Sequence, residues 1–187
     1  MTPNKNGTST LRFFNPARNT AQQAFVRIVN SSSESSALTI SGVDDSGQIA
    51  PNGNVSLTPA AGQSTELSAA DLEQGNTELQ VAGSLGVGSG RWRLDVSSDP
   101  QISVMSYVLT STSFLTNMSV VVGAASTINT VWTFNPGSNS NQASKLRVNN
   151  SGPSTAAVSI SDIDDSGKAS PGTNLTFNLS VGSVKEI

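Results

Sequence analysis

The chain of 187 residues contains neither cysteine nor histidine, and these two absences exclude much of enzyme and metal chemistry. Without cysteine there are no disulfides, no thiolate metal sites and no thiol nucleophiles. Without histidine there is no Ser-His-Asp triad, no imidazole general base and no imidazole ligand for zinc. The remaining carboxylates, lysines and hydroxyls show no spacing typical of an acid/base set, so we expect a protein that is not an enzyme.

Charge and aromatic residues are also scarce, at 12% and 5% of the chain, and the net charge is −3. Because phosphate binding needs clustered Lys and Arg, we expect no nucleic-acid partner. No apolar run approaches the roughly 20 residues that cross a bilayer, so we expect no membrane span. The composition, rich in Ser, Thr, Asn and Gly, favours a bacterial protein that is secreted or displayed on the cell surface. No signal peptide is visible, so the chain is either a cytoplasmic protein or, as we favour from the composition, a segment whose leader has been removed.

Part of the sequence occurs twice, at an offset of 120 residues. Phe14-Asn15-Pro16 recurs as Phe134-Asn135-Pro136, and the run from Asp44 to Gly47 recurs from Asp164 to Gly167. Chance would leave only a few such matches, so we infer an internal duplication. The second copy ends at Ile187, where about half of the first copy has still to follow. Further matched positions in the first copy are Asn19, Gln22, Arg27, Asn30, Ser31, Ala37, Ile40, Ser41, Pro51, Asn54 and Gly62.

Apolar residues alternate with a period of two, which is typical of half-buried β-strands. Positions that are apolar in both copies should face the core, because a surface position would tolerate polar replacements. These pairs are Val26 with Leu146, Ile28 with Val148, Leu38 with Val158, Ile40 with Ile160, Val55 with Leu175, and Leu57 with Phe177.

Three local patterns predict particular structures. The alternation breaks at Gly42 and Val43, which predicts a β-bulge. The run from Ser68 to Asp71 resembles a capping box, and Gly75 is typical of the residue that ends a helix. A single helical turn is therefore expected between them. Trp92 shares a face with Leu94 and Val96, which predicts a place in the core.

The chain is therefore predicted to be all-β, with seven or eight short antiparallel strands in the first copy. The favoured fold is an immunoglobulin-like antiparallel β-sandwich, with a small closed barrel as the alternative. We expect a polar N-terminal arm over residues 1–9, a complete unit over 10–125 and the first half of a second tandem unit over 130–187. A small polar linker should separate the units near residues 123–129.

Several stretches resemble an immunoglobulin-like β-sandwich repeat module of large secreted and surface proteins of Gram-negative bacteria. The resemblance covers most of residues 10–122 and 130–184. It implies a non-catalytic sandwich that sits in tandem or beside a secreted hydrolase, and it identifies no binding residues. The stretches that carry it are Phe134-Asn135-Pro136 with Asn139, Gln142, Leu146-Arg147-Val148 and Asn150; Gly42 to Gly47; Leu67 to Glu73; Gly90 to Leu94; and Leu115 to Ser119.

Adjacent carboxylates make Asp44 and Asp45, with their copies Asp164 and Asp165, candidate ligands for calcium, the one cofactor that the sequence suggests. Calcium prefers six to eight hard oxygens, and two carboxylates, a hydroxyl and loop carbonyls could begin such a shell. One alternative is an Asx-type turn with Gly47 in a left-handed conformation. A second alternative is ion pairing of these carboxylates with Arg27 and Arg147.

Half a sandwich cannot bury its own apolar face, so the second copy should carry an interface. Trp132 shares a face with Phe134 but replaces Arg12 of the first copy, which predicts a rim position that meets a neighbour. Either the natural chain continues past Ile187, or strands from another copy complete the half unit. The candidate interface residues are Trp132, Phe134, Leu146, Val148, Ile160 and Phe177.

These observations predict a non-enzymatic, extracellular structural or adhesive repeat. Its partners would be other copies of itself, joined into a filament by intermolecular completion, or further tandem repeats. The alternative is a carbohydrate-binding or spacer module of a secreted hydrolase. A glycan-binding module would need a row of exposed aromatic side chains on one sheet face.

Overall fold

The computed structural model describes residues 7–117, 131, 134–169, 171–172 and 174–187. The chain forms two compact units, Met1–Ala125 and Ser126–Ile187. The first unit contains β1 (Thr8–Phe14), β2 (Gln22–Asn30), β3 (Leu38–Asp44), β4 (Val55–Leu57), β5 (Ser64–Ser68), α1 (Ala69–Gln74), β6 (Trp92–Ser98), β7 (Ile102–Thr110) and β8 (Leu115–Asn117). The second contains β9 (Arg147–Asn149), β10 (Ala156–Ile160), β11 (Leu175–Leu179) and β12 (Val184–Glu186).

The first unit consists of two four-stranded sheets, with strand orders β1-β6-β3-β4 and β5-β2-β7-β8. Every pair of neighbouring strands is antiparallel. Alternate residues of both sheets point inward and form one hydrophobic core. The prediction of an all-β, antiparallel chain is therefore confirmed, and the arrangement is consistent with a β-sandwich.

Trp92 lies in the centre of this core with only 1% of its surface exposed, as its position in the alternation predicts. The predicted β-bulge at Gly42 is wrong, because β3 pairs with β6 without a shift from Leu38 to Asp44. Gly42 occupies an inward position, where an added Cβ would lie 3.1 Å from Cε3 of Trp92. The apolar pattern therefore skips a residue because the indole fills the space above it, while the strand itself stays regular.

The predicted helical turn is confirmed as α1. Ser68 is its N-cap and accepts a hydrogen bond from the backbone N–H of Asp71, whose carboxylate accepts one from the backbone N–H of Ser68. This reciprocal pair satisfies two N–H groups that the start of a helix would otherwise leave unpaired. Burial raises the pKa of the Asp71 carboxyl, but hydrogen bonds from Asn76 and Ser68 outweigh it and leave the pKa below its usual value. Gly75, with a φ of 80°, ends the helix.

The second unit consists of two two-stranded antiparallel sheets, β10-β11 and β12-β9. Their registers are those of β3-β4 and β2-β5 at an offset of 120 residues. Within the described part of residues 131–187, no strand lies where β6 and β7 lie in the first unit. Corresponding pairs are Leu38–Leu57 with Val158–Phe177, Ile40–Val55 with Ile160–Leu175, and Ile28–Thr65 with Val148–Lys185.

Candidate functional site

Equivalent inward-facing residues are buried in the first unit and partly exposed in the second. Ile40 is 0% exposed, whereas Ile160, the same residue type in the same register, is partly exposed. Val55 is 0% exposed, and its counterpart Leu175 is 47% exposed. Leu146, Val148, Val158 and Phe177 are likewise only half-buried.

The difference in burial has a direct structural cause. In the first unit β6 pairs with all of β3, and β7 pairs with all of β2, so both strands lie between neighbours. In the second unit β10 and β9 pair on one edge only, among the residues that the structure describes. Among the described residues, the edge of β10 away from β11 therefore has no paired strand, and partly exposed apolar side chains lie beside it. We call this surface the open side; it comprises the outer edge of β10 with the partly exposed side chains of Leu146, Val148, Val158, Ile160 and Phe177.

One contact between the two sheets of the second unit joins Phe177 of β11 to Lys185 of β12. Nζ of Lys185 lies 4.4 Å from the centroid of the Phe177 ring. Lys185 pairs with Val148 and therefore points inward, where the first unit has the buried Thr65. A cation over an aromatic face is favourable and remains compatible with water.

Phe134 also differs from its counterpart. It is 51% exposed, whereas Phe14 is 1% exposed. In the first unit Phe14 pairs with Trp92 at the start of β6, and Nε of the preceding Arg91 donates to Oδ1 of the buried Asn15 at 3.2 Å. The exposure of Phe134 is compatible with the predicted interface, and Trp132 lies outside the described residues.

The candidate calcium ligand Asp44 is held in a tight turn by four donors. Its Oδ1 accepts hydrogen bonds from N and Oγ of Ser46 and from N of Gln48, at 3.0, 2.6 and 3.0 Å. Its Oδ2 accepts the backbone N–H of Ser89 at 2.8 Å. Burial raises the pKa of this carboxyl, but the hydrogen bonds outweigh it and hold the pKa below its usual value. This is the Asx-type turn given above as an alternative, and Gly47 adopts the expected left-handed φ of 85°.

The turn at Asp164 has the same geometry on one side of the carboxylate. Oδ1 accepts hydrogen bonds from N and Oγ of Ser166 and from N of Lys168, at 2.9, 2.6 and 2.9 Å. The Ser166 hydroxyl and the Lys168 amide lower the pKa of this carboxyl. Within the described residues no donor reaches Oδ2 of Asp164, whereas Oδ2 of Asp44 accepts the backbone N–H of Ser89.

Calcium binding by Asp44, Asp45, Asp164 and Asp165 stays a prediction. Among the residues that the structure describes, no three carboxylates come together where they could hold a metal ion. The ion-pair alternative does not describe Asp44, because Arg27 lies in the other sheet, where its Nε donates to Oγ of Ser64 at 3.0 Å.

Two buried asparagines organise the loops of both units and were not singled out as site residues from the sequence. Nδ2 of Asn30 donates to the carbonyls of Glu34 and Pro59, at 2.8 and 3.0 Å. Nδ2 of Asn150 donates to the carbonyls of Ser154 and Leu179, at 2.8 and 2.9 Å. The recurrence of this asparagine at equivalent positions of the two copies could have predicted its role, since a buried amide must pair its donors.

The glycan alternative depends on exposed aromatic rings. On the outer face of the sheet that contains β2 and β7, Phe25 and Tyr107 are half-buried and stack on each other with centroids 5.2 Å apart. Burial and a hydrogen bond to Glu66 raise the pKa of Tyr107 to about 12. Because each ring covers a face of the other, this pair offers less free stacking surface than two separate rings.

No helix among the described residues is long and apolar enough to cross a membrane. Comparison of the chain with protein-family models, curated proteins and solved structures finds no match.

Proposed function

We propose that this chain is a non-enzymatic structural or adhesive β-sandwich repeat of a secreted or surface-displayed protein, and that strands added at the open side complete its second unit. The added strands belong to another polypeptide or to a further repeat. The polar, cysteine-free composition supports an extracellular location.

The strand connections of the first unit support an immunoglobulin-like fold with one rearrangement. In that fold, the second and fifth strands pair in one sheet and the third and sixth pair in the other. Here β2 pairs with β5 and β3 with β6, in two different sheets. The flanking strands exchange places: β1 lies beside β6, where the fold usually has its last strand, and β7 lies beside β2, where it has its first.

One observation carries the proposal: Ile40 and Ile160 have the same register but different burial. Apolar surface left in water costs roughly 25 cal/mol per Å², so covering several such side chains favours association. The outer edge of β10, which pairs with no strand in the described part of the chain, adds a directional component, because an incoming strand satisfies its backbone groups.

Light scattering combined with hydrogen exchange tests the proposal on the full chain. If copies complete one another, the mass exceeds that of a monomer and rises with concentration. Ile160→Lys, which places a charge on the inward face, then restores the monomer, whereas Ser159→Lys on the outward face of the same strand does not. If another polypeptide is the partner, the chain is a monomer whose amides in residues 146–186 exchange rapidly. A monomer whose second unit is as protected as the first would overturn the proposal.

A further inference from the structure

We propose that the first unit binds a neutral sugar ring in a cavity beside Phe25, with Phe25 as the stacking platform and Asn19 and Gln23 as the hydrogen-bonding groups. The cavity has a volume of about 220 Å³ and is bordered by the loop before β2, by β2 itself and by the start of α1. This activity goes beyond the proposed function and does not depend on the open side, because all the lining residues lie within residues 16–70 of the first unit.

Phe25 is a half-buried ring whose position is fixed by its neighbour. On the outer face of the sheet it stacks on Tyr107, with centroids 5.2 Å apart and 15° between the ring planes. Tyr107 is held in turn by its hydrogen bond to Glu66. Because Phe25 also lines the cavity, the ring surface that Tyr107 leaves uncovered forms a rigid apolar wall there. The C–H face of a sugar ring is apolar, so packing it on this wall removes apolar surface from water.

Two amide side chains border the same cavity. Oδ1 of Asn19 accepts the backbone N–H of Gln22 at 3.1 Å, and its Nδ2 donates to none of the residues that the structure describes. The side chain of Gln23 is exposed and likewise pairs with no described residue. A hydroxyl group both donates and accepts, and an amide offers a donor and an acceptor, so sugar hydroxyls suit both side chains.

Ser68 also lines the cavity, but its hydroxyl is engaged within the protein. It donates to Oδ2 of Asp71 at 2.6 Å and accepts the backbone N–H of Asp71 at 3.2 Å. Ser68 therefore forms part of the wall, and the two amides supply the polar contacts.

The lining decides which ligands fit. None of the lining residues is charged, so a sulfate or a carboxylate would find no charge partner among them. The volume is below the roughly 300–1,000 Å³ of sites for drug-sized molecules, so a single ring fits, and one aromatic platform suffices for it. An entirely apolar peptide side chain would cover the amides of Asn19 and Gln23 without pairing them, which weakens binding. A neutral ring with an apolar face and hydroxyl groups at its edge meets all three conditions.

The duplication separates the binding residues from the structural ones. Asn19 recurs at the equivalent position of the second copy, so its turn belongs to the fold. Gln23 and Phe25 do not recur, and their counterparts are Ala143 and Lys145. The fold therefore does not require an amide and an aromatic ring at these two positions. We expect one sugar site in this chain, in the first unit.

Two-dimensional NMR of the full chain with methyl glycosides tests the site. The probes are the methyl α- and β-glycosides of glucose, galactose, mannose and N-acetylglucosamine, with methyl glucuronide as the charged comparison. We expect at least one neutral glycoside to bind with a dissociation constant on the order of 1 mM, since so small a ligand makes few contacts. Binding should shift the backbone amides of residues 17–25 and 68–70 and leave those of residues 146–186 unchanged.

Substitutions separate the platform and the amide from the fold. Phe25→Leu keeps an apolar side chain but removes the flat ring, and should weaken glycoside binding about 10-fold, whereas Phe25→Trp keeps a flat ring and should retain it. Gln23→Ala introduces the residue of the second unit and should weaken binding about 5-fold, through the loss of one hydrogen bond. The matched control is Gln22→Ala, which changes the adjacent exposed side chain outside the cavity and should have no effect. Far-UV circular dichroism checks that each variant is folded.

Three results would overturn the inference. The first is that no neutral glycoside shifts the amides of residues 17–25 and 68–70. The second is that folded Phe25→Leu binds the glycoside as tightly as wild type. The third is that methyl glucuronide binds more tightly than the methyl glucosides, since this would require a cation that the lining does not contain. The proposed function is tested separately, because its evidence comes from the amides of residues 146–186 and from Ile160→Lys.

Discussion

Nε1 of Trp92 donates a hydrogen bond to Oε1 of Glu73 at 2.8 Å, deep in the core of the first unit. The same carboxylate oxygen accepts the backbone N–H of Ala17 at 3.2 Å. Glu73 is 7% exposed, and these two donors satisfy its buried oxygen. The pair joins α1 to β6, and neither element has an equivalent among the described residues of 131–187.

Trp92→Phe should destabilise the first unit by about 2–4 kcal/mol, because it leaves a cavity and removes one donor from a buried carboxylate. Urea unfolding followed by far-UV circular dichroism measures the loss. Glu73→Gln is the control, since it retains an acceptor oxygen of the same shape and should cost less. A Trp92→Phe change within about 0.5 kcal/mol of wild type, the range of surface substitutions, would contradict this role.

The same substitution at equivalent positions should have unequal effects in the two units. Ile40→Ala should cost about 2–5 kcal/mol, as is typical of a fully buried isoleucine. Ile160→Ala should cost much less, because its side chain is already partly exposed. Hydrogen exchange of each variant, compared with wild type over residues 22–110 and over residues 146–186, measures the loss of protection in each unit. Equal losses of protection would mean that Ile160 lies in a complete core.

Gly42→Asp transfers the residue of the second unit into the first and tests why the two differ. The new carboxylate would clash with the Trp92 indole and lie buried without a partner, at a cost of about 3–5 kcal/mol. Gly42→Ala should cost less, because it adds bulk at 3.1 Å from the ring but no charge. Thermal unfolding of both variants separates the two contributions. A Gly42→Asp variant as stable as Gly42→Ala would show that a carboxylate is tolerated beneath the Trp92 indole.

Asp44→Asn should destabilise the first unit by about 1–3 kcal/mol, since an amide nitrogen or a neutral oxygen replaces the acceptor for Ser89. Asp164→Asn, the matched change, should leave the unfolding midpoint of the free chain unaltered. Because both variants keep the turn around Oδ1, the difference between them measures the contribution of the hydrogen bond to Oδ2 of Asp44. A loss of stability in Asp164→Asn would indicate that its second oxygen already has a partner.

The pH dependence of the first unit follows from the same carboxylate. The pKa of Asp44 is lower in the folded protein than its usual value of 3.8. The folded state therefore binds this proton less tightly than the unfolded state, and the stabilisation is present above pH 3.8 and lost as the pH falls through the lower, folded value. Asp71 adds to the effect with the same sign. Urea titrations at pH 6 and pH 3 should show a smaller acid loss in Asp44→Asn than in wild type.

Local patterns in the sequence predicted much of the fold. The period of two located the strands, the Ser68–Asp71 pair located α1, and the Asp44–Gly47 run predicted a turn with a left-handed glycine. These features depend on neighbouring residues and on bonds that span only a few positions. The duplication indicated which face of most strands points inward, because apolar residues at alternate positions recur on that face.

Long-range packing decided the rest. Gly42 was predicted to mark a bulge, but it lies in a regular strand because a tryptophan about half the first unit away in sequence fills the space above it. The sequence by itself therefore determined the alternation, the repeat and the turns of this protein. Only the tertiary structure decided that Ile40 is buried and Ile160 is partly exposed. Burial depends on strands from distant parts of the sequence packing against these residues, and a local sequence pattern carries no information on that packing.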